Sequence, residues 1–498
     1  MISFVALPIG AILILILHLL NVQKKMLFGV FFGTLAFAFF ANIVEWVGGL
    51  QPYAIGGIFM VDNFTRFFAQ IFVLVTGLAA LSVIPASEPE SMTHQTKDGS
   101  RLPPLPGFWR AGKPGMTSED NFEIILSLLL LATFAMALVA ASTGVISLFL
   151  SMEFLAIAFY ELVALKKDKI GVEAAIKFFV VGVFSSLLFL LGAAFYYGAL
   201  GTINFAALST AKFTPFLVAS LVLMLAGIGF KMSVFPLNLW LPDVYQGAPS
   251  SITAILAGAS KKAGFAAYMR LLLPIMLPVL RFRYITLAGV LVSWHTLMGL
   301  IAASTMLFGA IAAALQQNVK RLIAYSIISH AGFIAIGLAA GTRAGYQAAL
   351  LHIAIHALMA LGVFAMISVL EEHGLHTLDD YNGIAKGNMS FALVFALFLA
   401  SLTGVPPLAG FFSKFLLWTS AVHAGMIWLA IVAVVASAIS SYFYFIILRR
   451  MFGYERTGEA PTLTLSMHYY IPFAIPAALV VIFGFFPQGL LKIISSIF

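Results

Sequence analysis

The stretch "GFKMSVFPLNLWLPDVYQGAP", residues 229–249, decides the fold. Apolar runs flank it on both sides, yet it holds Lys231, then Pro236, then Pro242 and Asp243. A charged side chain at the centre of a membrane span costs ~2.5–3.5 kcal/mol on insertion scales. A proline inside a helix removes a backbone hydrogen bond and clashes with the preceding turn. Both are tolerated in a membrane where freed backbone groups face protein or a water-lined cavity. The stretch therefore predicts a membrane helix broken beside an interior polar path. "SLTGVPPLAGFFSKF", residues 401–415, repeats the arrangement, with a proline pair, glycines and Lys414 near the break. Two broken spans in corresponding halves point to an inverted-repeat transporter.

Working outward, the composition places the whole chain in a bilayer. Of 498 residues, 62% are hydrophobic and only 9% charged, too few charges to cover a soluble surface. The apolar residues come in runs of roughly 20, enough to cross a ~30 Å hydrocarbon core as helix. The runs are continuous rather than alternating, which favours a helical bundle over a barrel. The sequence predicts an all-α membrane protein of about fourteen spans. They fall near 2–21, 26–47, 62–85, 121–141, 143–165, 172–200, 213–241, 248–275, 286–316, 318–340, 344–371, 388–420, 422–450 and 467–495. Spans 7 and 12 are expected to be broken. The organisation that follows is 1–120 for spans 1–3 and a polar loop, 121–275 for a first inverted repeat (spans 4–8), 286–450 for a second (spans 9–13) and 467–498 for the last span. Residues 86–120, rich in Pro, Gly and Ser, read as a solvated loop rather than a partner-docking segment.

There are no cysteines, which excludes thiolate-held clusters and disulfides. Residues 2–20 lack a following A-x-A-like site and read as a retained first span, not a signal peptide. The net charge of +8 is a topology signal rather than a mark of nucleic-acid binding. Lys24, Lys25, Lys166, Lys167, Lys169, Lys320, Arg321, Arg449, Arg450 and Arg456 fall on one side if the spans alternate. The positive-inside rule then puts both termini outside. Arg281 and Arg283 oppose that assignment.

The charges away from span ends carry the chemistry: Glu153, Lys231, Lys261, Lys262, His330, His352, His356 and Lys414. Burial pushes lysine and carboxylate groups toward neutral pH, so that they become switchable. Histidine already titrates there. Glu153 and Lys231 read either as a switchable couple or as a static ion pair joining two helices. Lys261 and Lys262 point about 100° apart on a helix, so at most one faces the axis squarely. His352 and His356 lie one turn apart on one face. That is also metal-ligand spacing, but no third ligand is evident. Proton relay is the leading reading, ahead of core hydrogen bonding and of a metal site.

"FKMSVFPLNLWLPDVYQGAP", "ASKKAGFAAYMRLL", "QNVKRLIAYSIISHAGF" and "GVPPLAGFFSKFLL" together resemble the antiporter-like proton-pumping subunits of respiratory complex I. That family includes subunits of multi-subunit sodium/proton antiporters and of membrane-bound hydrogenases. The resemblance covers about 60–450. "DVYQGAP", "SKKAGF" and an end right after the last span look like its subunit N branch, whereas "LLHIAIHALMALGVF" looks more like the M and antiporter branches. The resemblance implies a proton-translocating subunit in the membrane arm of a quinone oxidoreductase, with no redox centre or cofactor of its own. Its implied partners are other membrane-arm subunits, with peripheral redox subunits engaged indirectly, in a cell inner membrane. By motif position, Glu153 matches the fifth-span glutamate and Lys231 its partner. Lys261 matches the eighth-span lysine and Lys414 the exit-side lysine. His330, His352 and His356 then stand for the central relay, with Lys262 at the axis margin or against another helix. The competing readings are an ion-exchanging antiporter subunit and a structural spacer.

Overall fold

The computed structural model describes residues 2–20, 22–82, 122–276, 284–287, 290–456, 463 and 467–497. Helices run Ile2–Leu19 (α1), Lys24–Val47 (α2), Asn63–Leu81 (α3), Phe122–Ala141 (α4), Val145–Val163 (α5), Lys169–Leu200 (α6), Pro215–Met232 (α7), Leu241–Gly247 (α8) and Ser250–Ile255 (α9). A π-helical turn, Leu256–Ser260, leads into Lys261–Met276 (α10). Then follow Trp294–Ala314 (α11), Val319–Ala340 (α12), Arg343–Glu372 (α13), Met389–Thr403 (α14), Ala409–His423 (α15), Ile427–Gly453 (α16), Met467–Phe485 (α17) and Gln488–Ser495 (α18). Two short antiparallel hairpins, 53–55 with 59–61 and 284–287 with 290–293, complete the regular structure.

Side chains close the helix starts. Asp168 accepts from the Gly171 N–H, Thr214 from Leu217, Asn318 from Arg321 and Thr342 from Gly345. Each satisfies one backbone donor that the helix leaves free. α12 and α13 are buried almost all round and form the centre. α6 and α16 keep broad exposed apolar faces, as helices at the rim of a membrane bundle do. Where α6 meets α7, Gly192 and Gly227 lie against the backbone of Ser220 and Ser185. Small residues of this kind let membrane helices approach closely.

The expected count of about fourteen spans is not reached on helix length and composition. Ten described helices are long and apolar enough to cross a membrane, or up to twelve if two bent pairs each count once. The expected eighth span divides into α9, the π turn and α10, and the expected twelfth into α14 and α15, so no single piece meets the length. The expected ninth span begins with a β-hairpin, and α11 starts only at Trp294. The expected last span ends at Phe485, where the chain turns by 86° into α18. The 86–120 loop, Arg281 and Arg283 lie outside the described residues.

Both breaks are present, but the first is not made by its proline. α7 stops at Met232, ahead of Pro236. Ser233 adopts φ 56°, and the N–H groups of Ser233 and Val234 donate to the carbonyls of Phe230 and Gly229. α14 stops in the same way, with Gly404 at φ 95° and the Val405 N–H donating to Ala400. This is the Schellman ending, which needs one residue in the left-handed region. The chain regains helix only at Leu241 and Ala409.

Candidate functional site

Lys231 sits in the last turn of α7, where unpaired carbonyls favour a cation. It lines a small enclosed cavity with Phe178, Trp240, Tyr245, Ser260 and Lys261. That space admits about one water molecule. Glu153, on the neighbouring α5, is half-buried beside the exposed Leu150 and Ile157. Its Oε1 accepts from the Ser186 hydroxyl of α6. No ion pair joins Glu153 to Lys231 among the described residues, although the two are close enough for the glutamate charge to act on the lysine. The static ion-pair reading of these residues is therefore corrected. The carboxylate is held by a serine, and the lysine turns toward the cavity.

Lys261 and Lys262 are both buried, and they face different neighbours. Lys261 borders the cavity with Lys231, and its Nζ has no hydrogen-bond partner among the described residues. Lys262 Nζ lies 2.7 Å from His356 Nδ1 on α13. Of the two places expected for Lys262, the axis margin or another helix, it takes the second, against α13. Adjacent helical residues diverge by about 100°, so a path that crosses α10 sideways uses one lysine on each flank.

The histidines continue from there. The His356 and His330 rings have centroids 4.6 Å apart. His330 Nδ1 is 3.1 Å from His352 Nε2, and the two rings are stacked at 13°. His352 Nδ1 is 2.9 Å from the Ser413 hydroxyl, which donates to the Gly410 carbonyl. With that donation made, one self-consistent set of tautomers follows. Ser413 accepts from His352 Nδ1–H, so His352 Nε2 accepts from His330 Nδ1–H. At the far end, Lys262 donates to His356 Nδ1, which leaves the His356 proton on Nε2.

Lys414 follows Ser413 directly in the chain and is fully buried. Its Nζ donates to the Leu402 carbonyl (2.8 Å), the Thr403 carbonyl (3.0 Å) and the Ser437 hydroxyl (3.3 Å). Those two carbonyls are left free by the ending of α14. The ammonium also lies 4.7 Å from the Phe333 ring centroid, within cation–π range.

The structure thus gathers Lys231 and Lys261 at one cavity and Lys262, His356, His330, His352 and Ser413 in one series of contacts, with Lys414 next to Ser413 in the chain and Glu153 at the edge. Ser186, Tyr245, Ser260, Ser413 and Ser437 belong with these groups and were not read from the sequence. Their only local signal is placement beside a charged residue, as Ser260 and Ser413 show. A second cluster was also missed. Lys320 is buried, donates to the Ala248 carbonyl at 2.7 Å and pairs with Glu371 at 3.2 Å. Glu371 in turn accepts from Ser250. Asp243 pairs with Lys177 at 2.7 Å and with Arg321 at 2.5 Å. These contacts tie α8 and the start of α9 to α6, α12 and α13.

A multi-pass helical bundle with two capped breaks and a buried series of amines and imidazoles defines a membrane protein with an interior charge axis. The family profile described as NADH:quinone oxidoreductase/Mrp antiporter, transmembrane, matches residues 142–440, and the chain belongs to that family. It is 32% identical over 462 residues to NADH-quinone oxidoreductase subunit N of Trichlorobacter lovleyi, covering 91% of this chain and 86% of that one. It is 38% identical over 355 residues to the subunit N of Beijerinckia indica, covering 70% and 72%. Among solved structures it resembles a chain of respiratory complex I from Thermus thermophilus with bound aureothin, with a TM-score of 0.78, 25% identity and 98% of both chains covered.

Proposed function

We propose that this chain is a proton-translocating, subunit N-type component of the membrane arm of a complex-I-type quinone oxidoreductase. The observation that carries the reading is the contact series from Lys262 through His356, His330 and His352 to Ser413, the residue that precedes Lys414. Each member both gains and gives up a proton, or orients one that does. The resting tautomers run one way. His356 holds its proton on Nε2 and His330 keeps a free Nε2 lone pair, and neither atom has a protein partner among the described residues. A proton leaving Lys262 enters His356 at Nδ1, while the Nε2 proton is passed to His330. The His330 Nδ1 proton then moves to His352 Nε2, which leaves the excess proton on the imidazole beside Ser413, and Lys414, one residue on, takes it up only after releasing its own proton on the exit side. On the other flank, Glu153 sets how readily Lys231 gives up its proton, because a nearby opposite charge favours the charged form. Lys261 receives that proton across the cavity. Electron transfer belongs to partner subunits, and this chain needs no cofactor of its own.

The same reading assigns 1–120, 121–275, 286–450 and 467–498 to leading spans, two inverted repeats of spans 4–8 and 9–13, and a closing span. It counts each broken pair as one of about fourteen crossings. Two breaks with the same ending support the repeat. The excess of Lys and Arg on one set of loops supports an inner-membrane orientation with both termini outside. The competing reading, an ion-exchanging antiporter subunit, is favoured by the two relay histidines of α13. Lys231→Ala in the assembled complex tests the proposal. Proton uptake per electron should fall while quinone reduction continues. Full pumping in an assembled variant would refute it, and sodium-dependent counterflow would favour the antiporter reading.

A further inference from the structure

Between Lys231 and Lys261 no hydrogen bond is made among the described residues, and a cavity lies between them. The cavity there has room for about one water, and a buried water needs two to four polar partners. Three of the side chains that line it carry buried polar atoms with no hydrogen-bond partner among the described residues: Lys261 Nζ, Trp240 Nε1 and the Tyr245 hydroxyl. The indole only donates, the neutral Lys261 amine accepts through its lone pair, and a phenol both donates and accepts. Tyr245 is fully buried on α8, its ring edge set against Phe364 on α13. An unpaired buried hydroxyl is destabilising, so packing alone would be better served by phenylalanine. α8 itself is anchored through Asp243 to Lys177 and Arg321, which fixes where Tyr245 points.

We propose that Tyr245 is a positioning residue for proton transfer: its hydroxyl holds and orients the water that carries the proton from Lys231 to Lys261. The proton passes from the Lys231 ammonium to the water, and the water's own proton passes to the Lys261 amine. The water keeps its composition and Tyr245 only accepts and donates hydrogen bonds. The inference rests on the relay reading above.

Tyr245→Phe keeps the ring and its contact with Phe364 and removes only the hydroxyl. It should be compared in the whole complex, reconstituted in vesicles, with Lys231→Ala and with Tyr381→Phe, which deletes a buried unpaired hydroxyl outside the cavity. Tyr245→Phe should slow coupled proton translocation by about two- to tenfold, the span that one hydrogen bond commands. It should also enlarge the solvent deuterium isotope effect on that rate, which loss of packing would not do. Tyr381→Phe should match the parent. Trp240→Phe, which withdraws a second donor from the same water, should shift the isotope effect in the same direction and serves if Tyr245→Phe fails to assemble. A parent-like rate and isotope effect in Tyr245→Phe, with Lys231→Ala inactive, would overturn the role of Tyr245 and leave the relay standing. Normal pumping in Lys231→Ala would remove the relay and this step together.

Discussion

The two breaks end their first half-helices in the same way yet serve their lysines differently. At the first, Lys231 belongs to the half-helix before the break and faces a cavity beside an acid that it does not touch. At the second, Lys414 belongs to the half-helix after the break and reaches back to two carbonyls that the first half leaves free. A broken helix can therefore hold a buried amine through its dipole alone or through direct donation to its end. The second way fixes the amine in place. The first leaves it free to exchange with water, as an early member of a relay must.

That contrast can be broken by substitution. Lys414→Ala should have the largest effect, because it removes a proposed relay group and strands the Leu402 carbonyl, whereas the Thr403 carbonyl keeps the Ser437 hydroxyl. Unpaired buried acceptors cost ~1–3 kcal/mol each, so loss of pumping should come with a lower thermal midpoint. Lys231→Ala should abolish pumping with little change in that midpoint, since no hydrogen bond to the protein is lost. Equal destabilisation of the two variants would erase the distinction. Lys262→Ala and Lys261→Ala should come next, with comparable losses of coupled translocation, because each lysine serves one flank of α10. A loss confined to Lys261→Ala would mean that the Lys262–His356 contact lies off the path.

Glu153→Gln keeps a hydrogen-bonding group for Ser186 and removes the charge. Pumping should fall partially with assembly intact, because Lys231 would lose the field that helps to hold its proton. Unrestrained pumping in that variant would assign Glu153 to structure. The smallest effect should come from Ser233→Gly. A non-glycine residue in the left-handed region costs ~1–2 kcal/mol, partly offset by the extra chain entropy of glycine. The thermal midpoint should rise slightly with pumping unchanged. A marked fall in pumping would mean that the Ser233 side chain takes part.

The sequence by itself determined the membrane class and marked the two breaks and the intramembrane charges that the fold buries. Hydropathy and intramembrane charge are local properties, and ionisable residues are too costly in a span to be scattered there without use. Tertiary structure alone decided which groups meet. Adjacent lysines on one helix look redundant until α10 is found with cavity on one side and His356 on the other. Glu153 and Lys231 look paired until Ser186 is seen to hold the carboxylate. Proline looked responsible for the first break, but Ser233 in the left-handed region ends the helix before Pro236 is reached. Hydroxyls such as Ser413, Ser437 and Tyr245 give no signal in a single sequence, because serine and tyrosine also occur in bundles for packing. Their roles come from partners 23 to 121 positions away, as with Lys414 and Ser437 or Ser250 and Glu371, and only the folded chain brings such residues within hydrogen-bond reach.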